Sequence, residues 1–286
     1  MKNPYQAFVS DYVRWLKKGA KSPLGRVSLP RHPKVAAAAP KALIFSPHPD
    51  DECVIGGLPL RLRRELRWNI INIAVTQGSK KERQAGRWAE LKNACAYLGF
   101  GLIRTREGGL EKINPKGREG DPENWAAATA AIAGLINCEK PRVIFMPHAQ
   151  DWNSTHIGTN LLVTGALKKL GRAFTCYVVE TEFWGAMTTP NLVIESSPRD
   201  VADLVTATSF HVGEVQRNPY HIGLPAWMQD NVRRGAEIVG GQGGEAPKFT
   251  FATLYRLLRW SGGKLEKVFE GGRLVSRKDD LKTLFA

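Results

Sequence analysis

The sequence predicts an α/β fold: a Rossmann-like, doubly wound, mostly parallel sheet flanked by helices. Three observations support that class. From residue 42 onward, short apolar runs alternate with segments of helical period. The first run, Ala42-Leu43-Ile44-Phe45, opens into the polar loop Ser46-Pro47-His48-Pro49-Asp50-Asp51-Glu52, as at the strand ends where open α/β sheets place their ligands. Composition agrees: 43% hydrophobic and 24% charged over 286 residues is globular, which excludes a disordered chain and allows a substantial core.

In chain order, residues 1–40 form a basic arm. Tyr5, Phe8, Val9, Tyr12, Val13 and Leu16 follow helical spacing, with Arg14, Lys17 and Lys18 close behind. This amphipathic helix reads as docked on its own domain, with peripheral contact to an anionic membrane surface as the alternative. A Pro-, Gly- and Ala-rich linker follows over 19–40. Of the net charge of +14, much arises early, because residues 1–41 hold nine Lys or Arg against Asp11 alone. Such a patch favours phosphates, whether of nucleic acid, a membrane surface or a charged substrate.

Strands are predicted near 42–46, 69–76, 101–105, 142–147 and 174–180, and helices near 53–66, 82–98, 121–137, 156–170 and 199–216. Asp121-Pro122-Glu123 is a helix start, since Asp caps and Pro suits the first turn. Residues 219–246, with two prolines and six glycines, read as a rim loop or lid that completes a domain of 41–246. Residues 247–286 read as a basic, aromatic extension packed on that domain through Tyr255, Leu257, Leu258 and Trp260. The four cysteines, 53, 95, 138 and 176, form no CxxC pair and read as buried thiols. With no secretory core at the start and no apolar stretch of membrane-spanning length, they suggest a cytoplasmic protein, at most peripheral at the inner membrane face.

The chemistry concentrates in two loops. The strand Arg142-Val143-Ile144-Phe145-Met146 runs into Pro147-His148-Ala149-Gln150-Asp151-Trp152-Asn153-Ser154-Thr155-His156. In a parallel sheet this loop and the first emerge at one edge, bringing His48, Asp50 and Asp51 toward His148, Asp151 and His156. Two His and one carboxylate match the ligand set of catalytic zinc sites, and a further carboxylate beside them serves as general base. A dinucleotide site is rejected despite Gly56-Gly57 and Gly78, because the loop after the first strand is acidic and repels a pyrophosphate.

His48-Pro49-Asp50-Asp51-Glu52 after a strand, with a second loop ending in His156, resembles the PIG-L/LmbE-like deacetylases, zinc-dependent enzymes that remove acetyl groups from N-acetylglucosamine-type sugars. The resemblance spans roughly residues 40–215 and implies zinc ligands His48, Asp51 and His156, with Asp50 as general base. Arg87-Trp88-Ala89-Glu90-Leu91 resembles the family's Arg-x-x-Glu helix, which implies a substrate contact for Arg87. The expected substrate is an N-acetylated sugar or glycoconjugate, anionic in view of the basic arm. Asp151 and Trp152 are further candidates for substrate contact, with Asp151 alternatively orienting a ligand His or capping the following turn. Trp184 and Trp227 are candidate sugar-stacking groups.

One departure stands out: Asn153 replaces a His that many members carry three residues before the last ligand. Asn can donate to an oxyanion but cannot deliver a proton, so His148 and His211 become candidate acids; His32 reads as structural. The donor set also accepts iron or cobalt. The alternative reading is an anionic-surface or nucleic-acid binding protein on an inactive deacetylase-like scaffold. No RNA- or DNA-binding motif is present, so nucleic acid is not expected as a partner. The oligomeric state is not set by the sequence.

Overall fold

The computed structural model describes residues 3–286; Met1 and Lys2, at the start of the predicted arm, lie outside the described residues. In chain order the elements are α1 (Tyr5–Gly19), β1 (Lys41–Ser46), α2 (Asp51–Val54), α3 (Leu58–Glu65), β2 (Asn69–Ala74), α4 (Lys81–Leu98) and β3 (Gly101–Arg104). Next come α5 (Pro115–Gly120), α6 (Pro122–Glu139), β4 (Val143–Pro147), α7 (Ser154–Lys169), β5 (Cys176–Thr181) and β6 (Leu192–Ser196). The last are α8 (Pro198–Ser209), α9 (Val212–Val215), α10 (Tyr220–Ile238), β7 (Phe251–Ser261), β8 (Lys264–Lys267) and β9 (Arg273–Val275).

The strands form one nine-stranded sheet in the order β3-β2-β1-β4-β5-β7-β6-β9, with β8 paired to β7. The run from β3 to β5 is parallel, and β7 enters antiparallel to both β5 and β6. The mostly parallel, doubly wound class is therefore the observed one. Between β1 and β4 the winding reverses direction, which opens a crevice outside their carboxyl ends. Side chains alternate across the strands: Ala42 and Ile44 join the core that includes Leu58, Leu91 and Leu204, while Leu43 and Phe45 join the core of Ile132 and Leu162. Helices on both faces explain why β1 is buried from Ala42 to Ser46 rather than alternating with water.

Local signals hold where predicted. The Asp121 side chain accepts from Asn124 N–H at the start of α6, and Ser197 with Asp200 closes a capping box on α8. His32, read as structural, places Nε2 2.9 Å from the Tyr97 carbonyl at the end of α4. The predicted helix 53–66 breaks into α2 and α3 at Gly56, which sits at φ +90° with Thr253 and Tyr255 of β7 where a Cβ would stand. Likewise 199–216 divides into α8 and α9 around the buried His211.

Three expectations are corrected. The predicted rim loop at 219–246 is largely α10, whose Leu224, Met228 and Val232 are buried; these follow helical spacing that the prolines and glycines masked. The predicted extension supplies β7, an interior strand with Tyr255, Leu257 and Trp260 buried. The predicted docked helix α1 has no buried residue. All four cysteines are free, but Cys138 is exposed. Among the described residues no helix is long and apolar enough to cross a membrane.

Leu257 is fully buried in a strand with neighbours on both sides. Leu257→Ala should destabilise the fold by about 2–5 kcal/mol in denaturant unfolding. A change under about 1 kcal/mol, typical of surface sites, would show that β7 is peripheral.

Candidate active site

Adjacent strands β1 and β4 deliver the two loops to one edge. His48, Asp51 and His156 meet there, each offering one ligand atom, all within 4.8 Å of one another. His48 Nδ1 lies 3.5 Å and His156 Nε2 3.4 Å from Asp51 Oδ2. His48 N–H donates to the same oxygen at 2.8 Å, which turns the carboxylate into the loop. His156 sits in the first turn of α7, where Asn153 caps the helix by accepting from Thr155 N–H at 2.9 Å.

Asp51 Oδ1 and His156 Nε2 are buried and have no hydrogen-bond partner. Buried polar atoms rarely go unsatisfied, and with ligand atoms of His48, Asp51 and His156 this close together the donor set fits a small divalent cation. Burial opposes charge on both groups, yet mutual attraction prevails. His156 and His48 hold the Asp51 carboxyl below its usual range, while Asp51 and Asp151 push His156 up.

Behind His156 stands Asp151, with Oδ2 3.4 Å from Nδ1; its Oδ1 accepts from Asn153 N–H at 2.8 Å. Asp151 is buried, which corrects its place among substrate contacts: its carboxylate is spent on His156 and the loop backbone. Its place behind His156 is that of an orienting carboxylate, while its bond from Asn153 N–H is that of a cap on the following turn.

Asp50 faces the cleft beside the triad. Its backbone holds φ 120°, a strained conformation for an L residue of a kind that clusters at active sites. Glu52 Oε2 accepts the Asp50 N–H at 3.0 Å, and Tyr220 OH donates to Asp50 Oδ2. Burial and the adjacent Asp51 carboxylate push the Asp50 carboxyl up to about 7, while His211, Arg87 and Tyr220 pull it down. Arg87 Nη2 donates to the Pro49 carbonyl at 2.9 Å, so the predicted arginine does reach this loop.

Neither candidate acid lies on the cleft. His148 is buried, with Nε2 2.9 Å from the Gly185 carbonyl. His211 is fully buried, with Nε2 2.7 Å from Glu52 Oε1. Glu52, Cys53 and His211 form a second close cluster, but there Glu52 Oε1 takes both His211 Nε2 and the thiol, the latter donating at 2.9 Å, and His211 Nδ1 alone is left without a partner. Burial and Glu52 push the Cys53 thiol well up, which leaves it protonated and a poor ligand. That cluster braces the acidic loop from behind.

The cleft, about 450 Å³, is lined by His48, Asp50, Arg87, Trp152, Asn153 and Trp184, a size suited to a small ligand. Trp152 is 72% exposed on its rim. Lys80, Arg83 and Arg217 also line it, with Glu214 pairing to both arginines. Trp227 lies instead in a separate apolar groove with Phe183 and Leu224. Sequence reasoning missed Tyr220, Arg217 and Glu214. Tyr220 follows Asp50 by 170 residues, and no motif spacing links them; the basic Arg217-Asn218 before α10 was the available hint.

His211→Ala leaves Glu52 as a buried, unpaired carboxylate and should cost about 3–5 kcal/mol, read as a lower denaturant midpoint. An unchanged midpoint would remove the bracing role.

Residues 43–167 match the PIG-L family, described as GlcNAc-PI de-N-acetylase. Among solved structures, an N,N'-diacetylchitobiose deacetylase from Pyrococcus horikoshii is similar at TM-score 0.55 and 14% identity, covering 90% of this chain and 93% of its own. A deacetylase of teicoplanin biosynthesis is similar at TM-score 0.54 and 16% identity, covering 77% and 98%. The 4-carboxy-2-hydroxymuconate hydratase GalB from Pseudomonas putida KT2440 is similar at TM-score 0.55 and 13% identity, covering 76% and 95%. No curated protein matches the chain in sequence.

Proposed function

The chain carries a PIG-L/LmbE-like domain over residues 43–167, and from that premise we propose that it is a metal-dependent amidase that removes the acetyl group from an N-acetylglucosamine-type sugar or glycoconjugate. The observation that carries this reading is the convergence of His48, Asp51 and His156, with unpartnered buried donor atoms, beside the cleft-facing Asp50. A divalent cation held by those three residues, zinc first and iron or cobalt by the same donor chemistry, supplies a Lewis acid for the amide carbonyl and lowers the pKa of the attacking water.

This chain's own residues supply the rest. Asp50 takes the proton from the water as oxygen bonds to the acetyl carbon. Tyr220 holds Asp50 Oδ2, which leaves Oδ1 as the free acceptor and fixes its direction. Asp151 holds His156 in register through Nδ1. The Asn153 carbonyl oxygen is committed to the α7 cap, so its NH2 is what remains to donate to an oxyanion. With His148 and His211 sealed behind the loops, Asp50 returns the proton to nitrogen as the carbon–nitrogen bond breaks. The products are acetate and a free amine.

Trp152 and Trp184 offer flat faces for a sugar ring. Lys80, Arg83, Arg87 and Arg217, against Glu214, give the cleft a positive rim, which supports an anionic glycoconjugate. The hydratase similarity shows that this scaffold does not by itself select a reaction, so product identity is the deciding observable. Asp50→Asn should cut acetate release from a panel of N-acetyl sugars by about 10²- to 10⁴-fold while bound metal stays constant. Tyr220→Phe should lower kcat by about 10- to 100-fold, as loss of a supporting hydrogen bond does. Acetate release at the original rate in Asp50→Asn would remove the assigned base, and no release from any panel member by the zinc-loaded enzyme would count against deacetylation.

A further inference from the structure

The large apolar side chains exposed among the described residues are concentrated on α1: Tyr5, Phe8, Val9, Tyr12, Val13 and Trp15 are 41–72% exposed. No residue of the helix is buried. Positions 5, 8, 9, 12 and 13 share one face by helical spacing, with Trp15 at its border. Arg14, Lys17 and Lys18 occupy the flanks and the opposite side, and the one acid, Asp11, pairs with Arg14. The helix is nonetheless placed: a Cβ on Gly19 would stand 3.5 Å from Ile222 Cδ1, so its last turn abuts α10 next to Tyr220. A soluble surface rarely leaves so large an apolar face uncovered without a partner.

We propose that α1 is an interfacial helix that lays this face into an anionic lipid bilayer and so holds α10, the helix that carries Tyr220, near the lipid surface. This goes beyond the proposed deacetylation and stands whether or not that reaction is the right one. Charge selects the partner. Residues 3–41 carry eight Lys or Arg against Asp11, which attracts anionic headgroups and opposes docking of a second copy through the same arm. Tyr5, Tyr12 and Trp15 have the apolar body and polar tip that suit headgroup depth. Nucleic acid would neutralise the lysines but leave the apolar face in water.

The test is co-sedimentation of the full-length protein with phosphatidylcholine vesicles, with and without phosphatidylglycerol, over a salt series. Binding is expected to require phosphatidylglycerol and to weaken as salt rises. Lys17→Gln with Lys18→Gln should weaken it by about 30-fold, from the usual contribution of each basic residue near an anionic surface. Phe8→Glu with Trp15→Glu should abolish it. All four side chains are exposed, so the variants should keep the wild-type melting temperature. Three results would overturn the proposal: no vesicle binding, binding unaffected by both double variants, or a wild-type dimer in analytical ultracentrifugation that Phe8→Glu with Trp15→Glu dissolves. Salt-sensitive capture of oligonucleotides without vesicle binding would also overturn it.

Discussion

Three consecutive carboxylates, Asp50, Asp51 and Glu52, are buried at the carboxyl end of β1, and their charge must be answered locally. Transfer of an unpaired carboxylate from water is among the costliest steps in folding. The structure answers each one differently. Glu52 receives His211, Asp50 receives Tyr220 and the field of Arg87, and Asp51 receives two imidazoles with one oxygen left over. That leftover acceptor and the unpartnered Nε2 of His156 are what make the triad a fit for a cation, by charge and by hydrogen-bond accounting alike. The strain at Asp50, φ 120°, follows from the same demand, because three neighbouring carboxylates must point in three directions.

The sheet makes this arrangement available. Reversal of winding between β1 and β4 sets two loops about a hundred residues apart against one another. The second half of the chain then closes the site from behind and above. Strand β7 packs Thr253 and Tyr255 against Gly56, which breaks the helix after the acidic loop; α9 adds Glu214 to the cleft, and α10 brings Tyr220 to Asp50. The N-terminal part therefore contributes the proposed cation ligands and the proposed base, and the C-terminal part contributes much of what orients them.

This division explains what was legible in the sequence. The parallel strands, the loop His48–Glu52 and the partner His156 could be read because apolar runs and short motifs are local signals. The fates of 219–246 and 247–286 could not. Pro225 and the glycines around α10 mimic loop composition, and β7 pairs with β5 and β6, a long-range choice that no window of sequence displays. Roles within the second loop were also decided by direction rather than identity. Asp151 turns inward to His156 and Trp152 turns outward to the cleft rim, although they are neighbours in the chain. His148 and His211 were plausible acids by residue type and fail by burial.

The proposed function places one cation between His48, Asp51 and His156, with Asp50 left free as base. Anomalous diffraction at the zinc edge, from crystals grown with zinc, addresses it directly. The account predicts one strong peak about 2.0–2.2 Å from a nitrogen of each imidazole and an oxygen of Asp51, with Asp50 hydrogen-bonded to Tyr220 and outside the coordination sphere. A peak ligated by Glu52 and His211, or no ordered peak in the cleft at saturating zinc, would contradict it.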